Sequence, residues 1–184
     1  MDAMKIYFAT HNKSKVKEFG EILKGIADVK QLDDDYPELR SDLPEEIVLE
    51  AVKKLAEKYK KPMVAEDSGL FIKALNGFPG TCSAYIHKRI GLKGILKLME
   101  GIAERECEYR SAVGYCEPGK DAVSFLGIEK GKIADSERGK HGFGHDPIFI
   151  PAGNDKTYGE MENAEKYKKF RKDAVLKLMH YLRA

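Results

Sequence analysis

The pattern of apolar and polar positions in the first half of the chain alternates between two periods, which predicts strands followed by helices. Residues 5–10 form a short apolar run typical of a strand, and the polar residues after it can cap a helix. A second strand at 29–32 precedes a helix that Pro44 can open. The inward faces are Val16, Phe19, Ile22, Leu23 and Ile26 in the first helix, and Ile47, Val48, Ala51, Val52, Leu55 and Tyr59 in the second. This order predicts a βαβ unit and an α/β fold.

The second half of the chain changes character, because predicted strands follow one another there without helices between them. After a loop at 76–80 and helical segments at 83–99, strands are predicted at 107–116, 122–126 and 128–133, with a hairpin turn at 117–120. A glycine-rich loop at 139–146, a short strand at 148–150 and a helix at about 160–182 follow. The sequence has no repeat or linker, which predicts a single two-lobed domain over residues 1–184.

Two adjacent carboxylates, Glu66 and Asp67, directly follow an apolar run. Residues 63–65 are predicted to form a buried strand, Ser68 and Gly69 a turn, and residues 70–72 the next buried segment. Because burying an unpaired carboxylate costs several kcal/mol, roughly, these two acids are expected to meet a metal, a base or a proton.

The charge balance argues against a chain-wide binding surface for nucleic acid or membrane. The 184 residues include 32 Lys and Arg against 30 Asp and Glu, a net charge of +2. No apolar run approaches the roughly 20 residues of a membrane span. The three cysteines, Cys82, Cys107 and Cys116, form no Cys-x-x-Cys pair and are expected to be reduced. These features predict a protein of the cytoplasm that binds neither nucleic acid nor membrane.

The first candidate binding site is the polar loop between the first strand and the first helix. Backbone N–H groups and the helix dipole favour an anion there, and neighbouring lysines add positive charge. The loop lacks the Gly-Lys-Ser/Thr spacing of a P-loop. A plain capped helix with solvated lysines is the alternative interpretation. The residues concerned are Thr10, His11, Asn12, Lys13, Ser14 and Lys15.

The second candidate is a magnesium site. Glu66, Asp67 and Glu38, which closes an acidic loop, are the hard oxygen ligands that Mg²⁺ prefers. Hydrolysis would also require one carboxylate to orient or deprotonate a water. The alternative is that Asp67 only hydrogen-bonds into the predicted turn at Ser68 and Gly69.

The third candidate is the glycine-rich segment around Phe143 and Gly144. Its glycines allow a close approach of the backbone to a flat ligand, Phe143 offers a stacking face, and Asp146 can accept hydrogen bonds. A zinc site built from His141, His145 and Asp146 is disfavoured, because no helix holds the histidines on one face.

The fourth candidate is the basic run 166–172 in the predicted closing helix. Lys168 and Lys172 lie nearer the edge of the inward face, and most of the charge in the run is expected to be a solvated face. Phe170 is expected either to be core or to lie near a ligand. Arg171 lies on the inward face, where a guanidinium needs a carboxylate, a carbonyl or a ligand as its partner.

Six segments follow one another in the order and approximate spacing of a known family. They are Thr10-x-Asn12-x-x-Lys15-x-x-Glu18, Tyr36-Pro37-Glu38, Glu66-Asp67-Ser68-Gly69-Leu70, residues 74–80 (Ala-Leu-Asn-Gly-Phe-Pro-Gly), residues 142–149 (Gly-Phe-Gly-His-Asp-Pro-Ile-Phe), and residues 157–161 (Thr-Tyr-Gly-Glu-Met) with Glu165-Lys166. Together they resemble the inosine/xanthosine triphosphate pyrophosphatase family, which hydrolyses noncanonical purine nucleoside triphosphates to the monophosphate and pyrophosphate.

The resemblance implies roles for these segments. The segment 10–15 would hold the triphosphate with Ser68 nearby, Glu38 and Asp67 would bind Mg²⁺, and Asp67 would also activate the water while Lys15 absorbs charge. The base and sugar would be surrounded by Phe143, Gly144, His145, Asp146, Lys166, Phe170 and Arg171. The family's fold is an elongated mixed sheet flanked by helices, with a substrate cleft between two lobes and assembly as a homodimer.

Three positions depart from the family's pattern: His11 replaces a glycine, His145 replaces a large aromatic residue, and Lys169-Phe170-Arg171 replaces Ser-His-Arg. Loss of a hydrogen-bond donor to the base weakens discrimination. We therefore expect hydrolysis to be retained, with a preference for the 6-oxo purine that is either weaker or partly restored by His145. Altered specificity, including modified pyrimidines, and a nucleotide-binding module without turnover are the alternatives.

Overall fold

The protein is described by a computed structural model that covers residues 4–34, 39–164 and 168–184. Two residues predicted to bind ligands, Glu38 and Lys166, lie outside these ranges, as do residues 36 and 37 of the second family segment and Glu165 of the sixth.

The described chain forms a mixed α/β fold, as the sequence predicts. Its strands are β1 (Met4–Ala9), β2 (Ala27–Leu32), β3 (Met63–Ile72), β4 (Pro79–Gly80), β5 (Glu106–Cys116), β6 (Val123–Ile133) and β7 (Phe149–Pro151). Its helices are α1 (Lys13–Ile22), α2 (Pro44–Tyr59), α3 (Ser83–Leu98) and α4 (Phe170–Arg183). Within the described parts of the chain, no helix combines the length and the apolar character that a bilayer crossing requires.

The seven strands form one mixed sheet in the order β2-β1-β3-β5-β6-β7, with β4 paired to β3. Strand β1 is parallel to both β2 and β3, which confirms the βαβ arrangement at the start of the chain. Pairing is antiparallel between β3 and β4 and between β6 and β7.

The chain divides into two compact units, and β3, β5 and β6 contribute residues to both. Of the described residues, the first unit comprises those within 1–67, 111–127 and 171–184, and the second comprises those within 68–110 and 128–170. In the first unit, the side chains of Ile6, Phe8 and Val64 pack with α1 and α4, while Ala9, Met63 and Ala65 pack with α2. The core of the second unit includes Leu70, Ile72, Tyr109, Phe149 and Phe170.

The turn predicted at Ser68 and Gly69 is wrong, because β3 continues without interruption from Met63 to Ile72. Gly69 is required there for close packing rather than for a turn. A Cβ atom on Gly69 would lie 2.0 Å from the carbonyl oxygen of Gly80 in β4, where the two backbones approach each other. Glycine and serine therefore do not end this strand.

Two predicted boundaries in the second half also differ from the structure. The separate strands at 122–126 and 128–133 are one strand, β6, with Gly127 buried inside it. The closing helix begins at Phe170 and not near residue 160, because Tyr158–Glu160 form a 3₁₀ turn with a capping box between Thr157 and Glu160. The helical periodicity of the tail therefore extends further than the helix does.

Candidate active site

The start of α1 is a well-formed helix cap. The side-chain oxygen of Asn12 accepts hydrogen bonds from the backbone N–H groups of Ser14 at 3.0 Å and Lys15 at 3.3 Å, and Thr10 Oγ1 accepts from Asn12 N–H. Lys13 is exposed, and His11 pairs through its ring with the exposed Asp33. Two N–H groups that could meet an anion are thus already used by the cap.

A buried charge cluster surrounds Glu66, whose side chain has no exposed surface. Its Oε1 accepts hydrogen bonds from Ser111 Oγ at 2.7 Å and from Arg171 Nε at 3.1 Å, and its Oε2 forms an ion pair with Lys15. Arg171 Nη1 also donates to Glu18 Oε2 at 3.2 Å. The cluster therefore links α1, β3, β5 and α4 through residues that all belong to the first unit.

The neighbouring cations keep Glu66 ionised in spite of its burial. Burial by itself raises the pKa of the Glu66 carboxyl, but the charges of Arg171 and then Lys15, with their hydrogen bonds, outweigh this effect. The pKa of Glu66 consequently lies well below its ordinary value. The same carboxylates raise the pKa of Arg171 further, against the opposing effect of burial.

Asp67 lies on the opposite side of β3 from Glu66, because side chains alternate along a strand. Val64 and Glu66 face α1 and α4, whereas Met63 and Ala65 pack with α2, so Asp67 belongs to the α2 side. The register of β1 with β3 pairs Phe8 with Val64, and β1 ends at the next residue. Asp67 therefore lies beyond the carboxyl end of β1, which is where open α/β sheets bind ligands.

The second unit contains a separate polar centre at Asp146, whose side chain is 1% exposed. Its Oδ2 accepts hydrogen bonds from Phe143 N–H and from Lys168 Nζ, each at 2.8 Å, and its Oδ1 accepts from Tyr109 Oη at 3.3 Å. Burial and then the Asp146 charge raise the pKa of Tyr109, so its hydroxyl stays a donor. A Cβ at residue 142 would lie 2.1 Å from the same carboxylate, which is why a glycine stands there.

Lys168 is a buried cation that the sequence pattern assigned to a solvated helix edge. Its side chain is 3% exposed, and its ammonium lies 4.2 Å from the ring centroid of Phe143. Phe143 itself is 57% exposed. The signal that could have identified Lys168 is its position three residues before Arg171 in a tail that also supplies buried apolar residues.

His145 is buried and stands edge-on to His87 of α3, with ring centroids 5.2 Å apart. Burial and then the proximity of His87 lower the pKa of His145 to about 4, so its ring is neutral near pH 7. Its Nε2 is buried without a hydrogen-bond partner among the residues that the structure describes. The partnership with His87 could not be predicted from the sequence, because the two residues are far apart along the chain.

The remaining predicted residues fall in different surroundings. Phe170 is 4% exposed and stacks on the Tyr109 ring at 4.9 Å between centroids, within the core of the second unit. Ser68 lies half-buried in β3, and Gly144 adopts a positive φ of 61° in its loop. Residues 4–34, 39–164 and 168–184 contain no group of three or more His, Cys, Asp or Glu residues arranged to hold a metal.

Sequence and structure comparisons agree on one family. The sequence profile of the Ham1 family matches residues 6–181. A dITP/XTP pyrophosphatase of Methanopyrus kandleri is 52% identical over 167 residues, which cover 90% of this chain and 88% of that protein. A dITP/XTP pyrophosphatase of Pyrococcus horikoshii is 45% identical over 164 residues, covering 89% of this chain and 88% of the relative.

The solved structures that resemble this chain include a HAM1 protein from Coxiella burnetii, with a TM-score of 0.88 at 27% identity and 98% of both chains covered. A nucleoside-triphosphatase / dITP/XTP pyrophosphatase from Mycobacterium abscessus gives a TM-score of 0.76 at 30% identity, covering 98% of this chain and 96% of that one. The resemblance carried by the six sequence segments is confirmed, and the chain belongs to the Ham1 family.

Proposed function

We propose that this protein hydrolyses noncanonical purine nucleoside triphosphates, such as ITP, dITP and XTP, to the monophosphate and pyrophosphate. The observation that carries the proposal is the 52% identity, over 90% of the chain, to a relative named dITP/XTP pyrophosphatase. The position of Asp67 supports it, because this carboxylate lies beyond the end of β1 on the α2 side of the sheet.

In the proposed reaction Asp67 accepts a proton from a water as the water attacks the α-phosphorus. The bond from the α-phosphorus to the bridging oxygen breaks, the monophosphate keeps the water oxygen, and pyrophosphate leaves with the bridging oxygen. A carboxylate suits this task because it is ionised at neutral pH and has two acceptor oxygens. Lys15 neutralises charge on the leaving group, moving from its present ion pair with Glu66 toward the phosphates.

The donor set fits Mg²⁺, with Asp67 and Glu38 as the proposed ligands. Mg²⁺ takes one or two protein carboxylates and completes its shell with water and substrate phosphates. The lack of a three-ligand cluster within the described ranges is therefore compatible with this ion. When bound, it would neutralise charge on the phosphate oxygens.

The cap of α1 favours a triphosphate site made of side chains rather than of free N–H groups. Asn12 already accepts from Ser14 and Lys15 N–H, so the proposed phosphate contacts are the Lys13 and Lys15 ammonium groups and the Thr10 hydroxyl. The imidazole ring of His11 lies in the same loop, where it pairs with Asp33.

Altered base preference is the second candidate, and the burial of Phe170 favours it. A side chain that is 4% exposed and stacked on Tyr109 supplies no hydrogen bond to a base. We propose that this chain discriminates less strongly for the 6-oxo group than a protein with the family's Ser-His-Arg pattern, and that His145 supplies part of the discrimination that remains. A preference for ITP over ATP of a hundredfold or more that is unaffected by a His145→Phe substitution would contradict this proposal.

The decisive experiment is a panel of inosine, xanthosine, guanosine and adenosine triphosphates with Mg²⁺ in ¹⁸O-labelled water. Pyrophosphohydrolysis yields labelled monophosphate and unlabelled pyrophosphate, whereas a phosphatase yields the diphosphate and phosphate. The Asp67→Asn variant should lose turnover while it retains triphosphate binding, and the Asp121→Asn variant, changed at an exposed site, is the matched control.

Binding without turnover is distinguished in the same assay. A binding module shows no Mg²⁺-dependent pyrophosphate release as the wild type, and this outcome would refute the proposed function. Assembly as a homodimer, the absence of nucleic-acid binding and location in the cytoplasm stay predictions.

A further inference from the structure

Glu129 is a buried carboxylate on β6 to which the proposed reaction gives no role. The residue is 7% exposed. Its Oε1 accepts a hydrogen bond from the Tyr158 hydroxyl, and its Oε2 accepts from the backbone N–H of Lys169 at 2.9 Å. Burying a carboxylate costs free energy unless hydrogen bonds compensate it, so Glu129 holds both of its donors, the Tyr158 hydroxyl and the Lys169 N–H, in place.

The bond to Lys169 fixes the chain just before α4. Lys169 immediately precedes the first helical residue, Phe170, so its N–H lies outside the helical series and takes Glu129 as its acceptor. Tyr158 holds the other oxygen of Glu129 and stacks on Phe149, with centroids 5.5 Å apart and planes inclined by 17°. The anchor is therefore attached to the core of the second unit.

The residue next to this anchor is Lys168, which carries the buried ammonium. Lys168 Nζ donates to Asp146 Oδ2 and lies against the Phe143 ring, while Phe143 N–H donates to the same carboxylate oxygen. A continuous series of contacts thus runs from Glu129 through the Lys169 backbone to Lys168, Asp146 and Phe143. The ammonium contacts Phe143, and more than half of that residue remains exposed.

We propose that Glu129 is a positioning residue for nucleobase recognition: it holds the backbone at Lys169, and thereby keeps the Lys168 ammonium on Asp146 and against Phe143. The Phe143 ring, fixed in this way, presents its exposed surface to a purine by stacking. The inference rests on the proposed function, since it assigns the purine to this loop.

The test compares Glu129→Leu, Glu129→Gln and Lys168→Met, with Arg183→Met as the control at an exposed position of α4. Loss of the buried acceptor should raise KM for inosine triphosphate about tenfold and leave kcat within about twofold. Glutamine keeps an acceptor for the Lys169 N–H, so Glu129→Gln should retain a KM within about threefold of wild type.

Two further measurements separate positioning from general damage. Inorganic tripolyphosphate has no base, so its competitive inhibition constant should be the same in wild type and in all variants. The double variant Glu129→Leu with Lys168→Met should be no worse than Lys168→Met alone, because both changes break one series of contacts.

Any of three results would overturn the proposal. The KM of Glu129→Leu could equal that of the wild type, the KM increases of the two single variants could multiply in the double variant, or the inhibition constant of tripolyphosphate could rise together with KM. If Glu129→Leu does not fold, Tyr158→Phe, which removes the hydroxyl bound to Glu129, replaces it with an expected rise in KM of about threefold. Binding of α,β-methylene inosine triphosphate measures the same ratios without turnover. The measurement on the wild type by itself tests the proposed hydrolysis, whereas the comparison of the variants with the wild type tests the positioning role.

Discussion

Replacing Arg171 by methionine tests whether the buried charge cluster holds the first unit together. Methionine keeps the length and apolar stem of the side chain and removes the guanidinium. Arg171 contacts Glu66 at 3.1 Å and Glu18 at 3.2 Å, so its loss leaves Glu66 ionised in a site without exposed surface. Glu18 is partly exposed and can turn to water, so the main cost falls on Glu66.

The magnitude follows from the burial of the pair. Removing one partner of a buried ion pair costs about 3–5 kcal/mol, because the other charge stays buried without compensation. Lys15 and Ser111 still contact Glu66, which places the expected loss near the lower end, at about 3 kcal/mol. For a chain of this size each kcal/mol lowers Tm by about 2–4 °C, so the expected fall in Tm is roughly 6–12 °C.

The assay is thermal and urea unfolding of the wild type, Arg171→Met, Glu66→Gln and the double variant. The double variant removes both charges, so it should be more stable than the sum of the single losses predicts, by about 2 kcal/mol. Arg183→Met, at an exposed position of the same helix, should change the free energy of unfolding by less than about 0.5 kcal/mol. A loss below about 1 kcal/mol in Arg171→Met, or strictly additive effects, would refute the reasoning.

Three further predictions concern acid stability, close packing and thiol reactivity. The folded-state pKa of Glu66 is lowered, so ionised Glu66 stabilises the folded protein above the unfolded-state pKa of about 4.3, and this stabilisation is lost as the pH falls further. Below pH 5, Tm of the wild type should therefore fall more steeply than Tm of the Glu66→Gln variant. Gly69→Ala should destabilise by about 3 kcal/mol through its clash with β4, whereas Gly20→Ala, with nothing within 4 Å of its Cβ in α1, should stabilise by about 0.5–1 kcal/mol in urea titrations. Cys82 is exposed, while Cys107 is buried and its burial raises the pKa of its thiol. Ellman's reagent should therefore modify Cys82 in the native protein and all three cysteines only after denaturation. Rapid labelling of Cys107 in the native protein would contradict this.

The regular elements of the first half could be predicted because local pattern and tertiary structure agree there. Phe19 in α1 and most of the predicted apolar face of α2 are buried, and Pro44 opens α2 as expected, although Leu23 and Ile26 of the first predicted face follow the last residue of α1. The turn in β3 could not be rejected from the sequence, since Ser68-Gly69 is a common turn pair. Only the approach of β4 explains why a glycine stands inside a strand.

The partners of charged residues were the least predictable part of the site. An inward Arg171 was expected from helical periodicity, but neither Glu66 nor Glu18 could be selected as its partner, because contact between distant segments has no local signal. The burial of Lys168 has no local signal for a related reason. Lys168 lies before α4 begins, so helical periodicity, which predicts a solvated edge for it, does not apply to this residue.

The adjacent acids of β3 have different surroundings because neighbouring side chains of a strand point to opposite faces. Glu66 is neutralised between α1 and α4 and has no exposed surface for a ligand, whereas Asp67 lies on the α2 side beyond the end of β1. The proposed function thus gives Asp67 the chemistry, while the buried ion pairs give Glu66 a role in stability. Glu66→Gln should lower Tm and leave kcat within about tenfold of wild type, while Asp67→Asn should lower kcat by about 10²–10⁴-fold with a small change in Tm. Steady-state kinetics and thermal unfolding of the two variants measure both quantities, and the reverse pattern would show that the two carboxylates had been assigned to the wrong roles.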